Sequence, residues 1–109
     1  MKLDNIIKEL GLTPVVVENE SGTEVTSVYC GDLLSDVMAH VQPDALWLTI
    51  QGHVNIIAIA QLRDIAGIVL VNGANAEEQT IAKAKEQGVN LCTSNETSAA
   101  LCMKLAGKL

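Results

Sequence analysis

Apolar positions recur along the chain with two different periods. Leu3, Ile6, Ile7 and Leu10 fall at i, i+3, i+4 and i+7, which predicts a short amphipathic helix. Gly11 stands where a C′ glycine would end it. Residues 13–17 (TPVVV) are rich in β-branched side chains and predict a strand. The polar stretch 18–24, with Gly22 inside it, predicts a turn into a second strand at 25–30, hairpin-like with the first. Gly31-Asp32 then opens a helix with Asp32 as its expected N-cap, and Leu33, Leu34, Val37, Met38 and Val41 form its apolar face. Residues 42–44 (QPD) break that helix, and 46–51 (LWLTIQ) predict a strand.

In residues 54–65 almost every position is apolar, so periodicity does not separate helix from strand. Frequent alanine and the flanking strands favour a buried helix. Residues 67–72 (GIVLVN) read as a strand covered on both faces. Glu77 and Glu78 suit the first turn of the next helix, which ends at Gly88. A short strand at 89–92 follows. Thr93-Ser94-Asn95-Glu96 has capping-box spacing and predicts a last helix running to about Leu109. Strand and helix alternate through the second half. That order predicts a three-layer α/β/α fold with a mostly parallel sheet, to which the first two strands would add antiparallel character.

Length and composition narrow the picture. The 109 residues fit one domain, 1–109, and a hydrophobic share of 49% is ample for a core. There is no Phe, and Trp47 and Tyr29 are the only aromatics, so packing falls to aliphatic side chains. The net charge is −6, and the only arginine is Arg63. Without a basic stripe, nucleic acid and anionic membranes are not expected partners. The apolar run at 56–60 is too short to span a bilayer, and the first residues do not read as a signal peptide. Cys30, Cys92 and Cys102 are odd in number and lack CxxC spacing, which fits reduced thiols in a cytoplasmic protein.

Candidate chemistry collects after the predicted strands, where open α/β sheets bind ligands. The segments are Gly31-Asp32-Ser35-Asp36, Gln51-Gly52-His53-Asn55, Asn72-Gly73 and, more weakly, Thr93-Ser94-Asn95. Glycines beside helix N-termini suit a small polar or anionic ligand. For Asp32, Asn55 and Asn95, capping is the competing role, and for Gly73 a turn. His53 is the sharpest candidate, because an imidazole between strand and helix could bind a ligand or act as a base. The competing role is that it orients its own loop. His40, near a helix end, reads as a surface residue. Asp32 and Asp36 are one helical turn apart and could hold a cation or act as acid and base, or be a cap beside a solvated side chain. No ligand set approaches a structural zinc site, and no cofactor or metal is expected.

Two segments carry a family resemblance: EVTSVYCGDLLSDVM at 24–38 and LWLTIQGHVNI at 46–56, followed by the apolar strand and Asn72-Gly73. Together they resemble DRTGG domains over essentially the whole chain. The resemblance implies a fold like the N-terminal domain of HPr kinase/phosphorylase, and an accessory, regulatory role like that of relatives found beside CBS domains or within phosphotransacetylases. It also brings in Thr26, the threonine of the motif that names the family. Ser27-Val28 stands here where that motif has two glycines, so a close backbone approach to a ligand would be altered.

The GxxxxGK[ST] phosphate loop of the kinase relatives is absent, as are GxGxxG, GxSxG and HExxH. The sequence therefore favours a binding or regulatory module over an enzyme. Its expected ligand residues are Thr26, Gly31, Asp32, Ser35, Gln51, His53, Asn55, Asn72 and Gly73. The alternative is a small enzyme using His53 with Asp32 or Asp36. A homodimer is expected, because the helix holding the nearly unbroken apolar run at 54–60 would need cover on every side.

Overall fold

The computed structural model describes all residues, 1–109. The elements in chain order are α1 (Leu3–Leu10), β1 (Thr13–Val16), β2 (Ser27–Cys30), α2 (Leu34–His40), β3 (Ala45–Thr49), α3 (Asn55–Leu62), β4 (Gly67–Leu70), α4 (Glu78–Gln87), β5 (Leu91–Thr93) and α5 (Ser98–Leu105). They build one five-stranded sheet in the order β1-β5-β4-β3-β2. Strands β2 to β5 are parallel, and β1 runs antiparallel to β5. The fold is the mostly parallel α/β architecture expected from the alternation.

Side-chain parity along the strands divides the core in two. Ala45 and Trp47 of β3, Ile68 and Leu70 of β4 and Leu91 of β5 face α2, α3 and α4. Leu46 and Leu48, Val69 and Val71, and Cys92 face α1 and α5. All five residues of β3 and all four of β4 are buried, which accounts for their apolar sequence; the one polar side chain among them, Thr49, donates to Asp32. No helix is long and apolar enough to cross a membrane.

The structure departs from the sequence-based expectations in four places. First, β1 and β2 are not a hairpin: they occupy opposite edges of the sheet. Val25, before β2, is fully buried, and its N–H donates to the Met1 carbonyl rather than to β1. The antiparallel contact is made with β5, where Pro14 is tolerated because β1 is an edge strand with an irregular register. Second, Asp32 does not cap α2. Leu33 holds that position, with no side-chain hydrogen bond. Third, α5 starts at Ser98, and its cap is Thr97, whose Oγ1 accepts from Ala100 N at 3.1 Å.

Fourth, α3 is covered by its own chain. Ile56 and Ile57 are fully buried, as are most of Ile59 and Ala60, against the sheet and between α2 and α4. Its outward positions are Ala58, Gln61 and Leu62. α3 therefore needs no second subunit to cover its apolar residues.

Candidate functional site

The carboxyl ends of β2, β3, β4 and β5 lie along one rim of the sheet. The chain leaves β2, β3 and β4 toward the face that carries α2, α3 and α4, but leaves β5 toward the face that carries α5. Neighbouring β4 and β5 thus send their chains to opposite faces. This divergence opens a crevice at the strand ends in α/β sheets. A cavity of about 210 Å3 lies there, lined by Gly73, Ala74 and Asn75 after β4 and by Thr93, Ser94, Asn95 and Glu96 from β5 onward. Gly11 and Thr13 complete it. Thr13 is present because the antiparallel edge pairing sets it opposite Thr93.

Three loops are stitched together around the crevice. Asn72 N donates to the Glu96 carbonyl at 2.9 Å and Gly73 N to the Ser94 carbonyl at 3.0 Å. This needs two successive left-handed residues, Asn72 at φ 58° and Gly73 at φ 72°. Asparagine and glycine are the residues that adopt this conformation most readily. The Gly52 carbonyl accepts from Thr80 Oγ1 at 2.7 Å and from Glu77 N at 3.1 Å, so the loop after β3 braces the one after β4. A Cβ at Gly52 would sit 2.3 Å from the Asn75 carbonyl oxygen, so only glycine permits this approach. Glu96 is engaged by Lys104 at 2.8 Å. The lining otherwise offers hydroxyls and amides, with no Lys, Arg or His among its residues.

The other residues predicted from sequence sit on the β2–β3 half of the rim or away from it. Asp32 Oδ1 accepts from Thr49 Oγ1 at 2.8 Å and from Ile50 N at 2.9 Å, and the Asp32 carbonyl accepts from Gln51 Nε2 at 3.2 Å. Asp32 thus ties the end of β2 to the end of β3. Gly31 is held by the same device, its carbonyl accepting from Trp47 Nε1 at 2.9 Å. His53 and Asn55 are exposed, and His53 Nδ1 accepts from Asn55 N at 3.2 Å, orienting the entry to α3. Ser35 is exposed on the first turn of α2. Thr26 precedes β2, at the opposite end of the sheet, and its N–H donates to the Asp44 carbonyl.

Among the nine expected ligand residues, Gly73 lines the crevice and Asn72 shapes it from behind. Gly31, Asp32 and Gln51 form a second cluster, while His53, Asn55 and Ser35 stand apart from both and Thr26 lies at the opposite end of the sheet. The residues that sequence reasoning placed weakly or not at all are Thr93 to Asn95, Asn75, Glu96 and Thr13.

No hydrogen bond or ion pair joins His53 to Asp32 or Asp36. Nor are the two carboxylates paired with each other: Asp32 turns to β3, whereas Asp36 accepts from the Tyr29 hydroxyl and meets His40 Nδ1 at 3.1 Å. The hydrogen bond that Tyr29 donates to Asp36 raises its phenol above the ordinary value, because ionisation would remove the donated proton, and partial desolvation and the Asp36 charge act in the same direction. The one-turn spacing allows either a working pair or a cap beside a solvated side chain; the structure has two separate structural contacts instead.

A larger groove of about 480 Å3 lies at the opposite end of the sheet, lined by Glu18, Asn19, Asp44, Asp64 and Asn90 among others. Part of its polar lining, the Asn90 side chain and several backbone groups, is committed to the fold. Asn90 Oδ1 accepts from Glu18 N at 2.8 Å, its Nδ2 donates to the Ala66 carbonyl, and Asp44 N donates to the Asp64 carbonyl. It also faces the amino ends of the strands, away from where this sheet type binds ligands.

No family model matches the chain, and no curated protein matches it by sequence. Among solved structures, the chain is similar to the regulatory region of Clostridium perfringens pyrophosphatase, a protein of CBS and DRTGG domains solved with its activator, diadenosine tetraphosphate. The TM-score is 0.78 at 14% identity, over 99% of this chain and 47% of that one. At that identity the likeness defines the fold: the chain has a DRTGG-like α/β fold. It spans less than half of its neighbour, which is a regulatory region.

Proposed function

We propose that this chain is a regulatory module that binds a small polar ligand, without catalysis, in the crevice between the ends of β4 and β5. The observation that carries the reading is the divergence of the two connections around a hydroxyl- and amide-lined cavity. The lining narrows the ligand. With Glu96 present, no cationic side chain among the lining residues and a net charge of −6, a phosphate group has no direct counter-ion. A neutral molecule bearing several donors and acceptors, such as a purine nucleoside, matches Thr13, Asn75, Thr93, Ser94 and Asn95 better. The neighbour's adenine dinucleotide activator makes adenosine the natural first probe. The enzyme alternative, His53 acting with Asp32 or Asp36, has no such support, since the three side chains are engaged separately.

The test is a thermal-shift and calorimetric titration with adenosine beside diadenosine tetraphosphate. Binding raises Tm by mass action even when nothing turns over. We expect adenosine to bind, and Asn75→Ala to weaken it by about tenfold, the equivalent of one lost polar contact of ~1.4 kcal/mol. Unchanged affinity in Asn75→Ala would remove the crevice from the reading.

The homodimer is retained as part of this proposal, on a different basis from α3. Leu33 is 69% exposed, and Ile50 is exposed too. Leu33 follows Asp32, whose side chain accepts from Ile50 N, so the two lie together in the loops after β2 and β3. A dimer would cover these two side chains. Sedimentation should give twice the chain mass, and Leu33→Glu should return the monomer. A single-chain mass at high micromolar concentration would contradict the dimer.

A further inference from the structure

Cys30 and Cys102 lie 72 positions apart in the chain, yet their sulfurs are 3.4 Å apart. Cys30 ends β2 and points to the α1/α5 face; Cys102 sits in the middle of α5, which crosses that face from β5 toward β2. Both thiols are free. Cys30 is exposed and Cys102 half-buried, so an external reagent reaches the first while the second waits behind it. The third cysteine, Cys92, is 2% exposed beneath the same face.

Two thiols in contact across two different elements differ from a structural cysteine, which fills space alone. They also differ from a metal site, since no group of three or more suitable ligands surrounds them.

We propose that Cys30 and Cys102 are a reversible dithiol/disulfide site, which a low-molecular-weight disulfide oxidises in two exchange steps. The Cys30 thiolate attacks one sulfur of the oxidant, forming a mixed disulfide and expelling one thiolate. The Cys102 thiolate then attacks Cys30 Sγ, forming the internal bond and expelling the second. Two electrons and two protons pass from the protein thiols to the oxidant, which leaves as two thiols. The product ties α5 to β2, the edge strand farthest from β5.

Burial and contact with Cys102 push the Cys30 thiol up to about 11, so it is protonated at neutral pH. Its exchange is therefore slow there and speeds up about tenfold per pH unit on the way to that value. Cys92 is pushed up to about 12 by burial and stays out of the reaction.

The site is tested on the full chain by incubation with glutathione disulfide, alkylation of the remaining thiols and intact-mass and peptide mass spectrometry. The expected product has lost two hydrogens, contains a 30–102 crosslinked peptide pair and retains Cys92 unlabelled until the chain is unfolded. Its Tm is above that of the reduced protein, and dithiothreitol restores the starting mass. Cys102→Ser should stop at a stable glutathione adduct on Cys30. If the wild type instead accumulates a glutathione adduct without closing, pairs Cys30 between molecules, or keeps both thiols alkylatable at alkaline pH, the site does not exist. The wild-type result alone decides the matter should the variant fold poorly.

Discussion

At the scale of single residues, most of the polar groups singled out by the sequence hold the rim together. Asp32 receives Thr49 and Ile50, Trp47 holds the Gly31 carbonyl, and His53 orients the first turn of α3. Such partners are set by which strands are neighbours, and a single sequence does not contain that. Gly52 is the most exacting residue, because its missing side chain lets the Asn75 carbonyl approach. Gly52→Ala forces backbone apart rather than moving a flexible side chain. It should cost about 1–3 kcal/mol in chemical denaturation and weaken adenosine binding, since Asn75 lines the crevice. An alanine variant of wild-type stability would show that the close approach does not hold the loop.

Tyr29 supplies a pH signature at the same scale. Its phenol donates to Asp36 and its folded value is raised, so the contact is fully present below the unfolded phenol value of about 10. It is lost as pH rises through the higher folded value. Denaturation midpoints measured up the alkaline limb should therefore fall more steeply for the wild type than for Tyr29→Phe. Parallel curves would show that the phenol does not sense Asp36.

At the scale of elements, the helices and the four parallel strands were largely legible, since each has the period its environment imposes. α1 shows one buried face, while β3 and β4 are apolar except at Thr49 because helices cover both sides. The errors concern ends and partners. The spacing Thr93-Ser94-Asn95-Glu96 matches a capping box, but Thr93 is the last residue of β5 and pairs with Thr13 and Leu70. Four further residues, 94–97, are needed to turn the chain onto the opposite face, and the cap falls at Thr97. Thr97→Ala should accordingly cost about 1 kcal/mol, and Thr93→Ala less than half of that. The reverse order would return the cap to Thr93. Similarly, a polar turn between two β-rich segments suggests a hairpin. Burial of Val25 and the bond from its N–H to Met1 lead the chain past α1 to the far edge instead.

At the scale of the whole molecule, the class of fold followed from alternation, and the choice of candidate rim followed from the rule that such sheets bind ligands at strand ends. Where along the rim the crevice opens did not follow. It depends on the chain changing faces after β5 alone, and on β1 arriving beside β5 rather than beside β2. Asn72-Gly73 and, more weakly, Thr93-Ser94-Asn95 are the sequence signals that lie at the crevice, and the left-handed backbone of the first brings the two loops together. The most direct test of the account is an amide chemical-shift titration of the isotope-labelled protein with adenosine. The account predicts shifts concentrated at Gly73, Asn75, Ser94 and Asn95, with Asp44 and Asp64 unmoved. Shifts confined to the Asp44–Asp64 groove or to Asp32, His53 and Asn55, or none at millimolar adenosine, would contradict it.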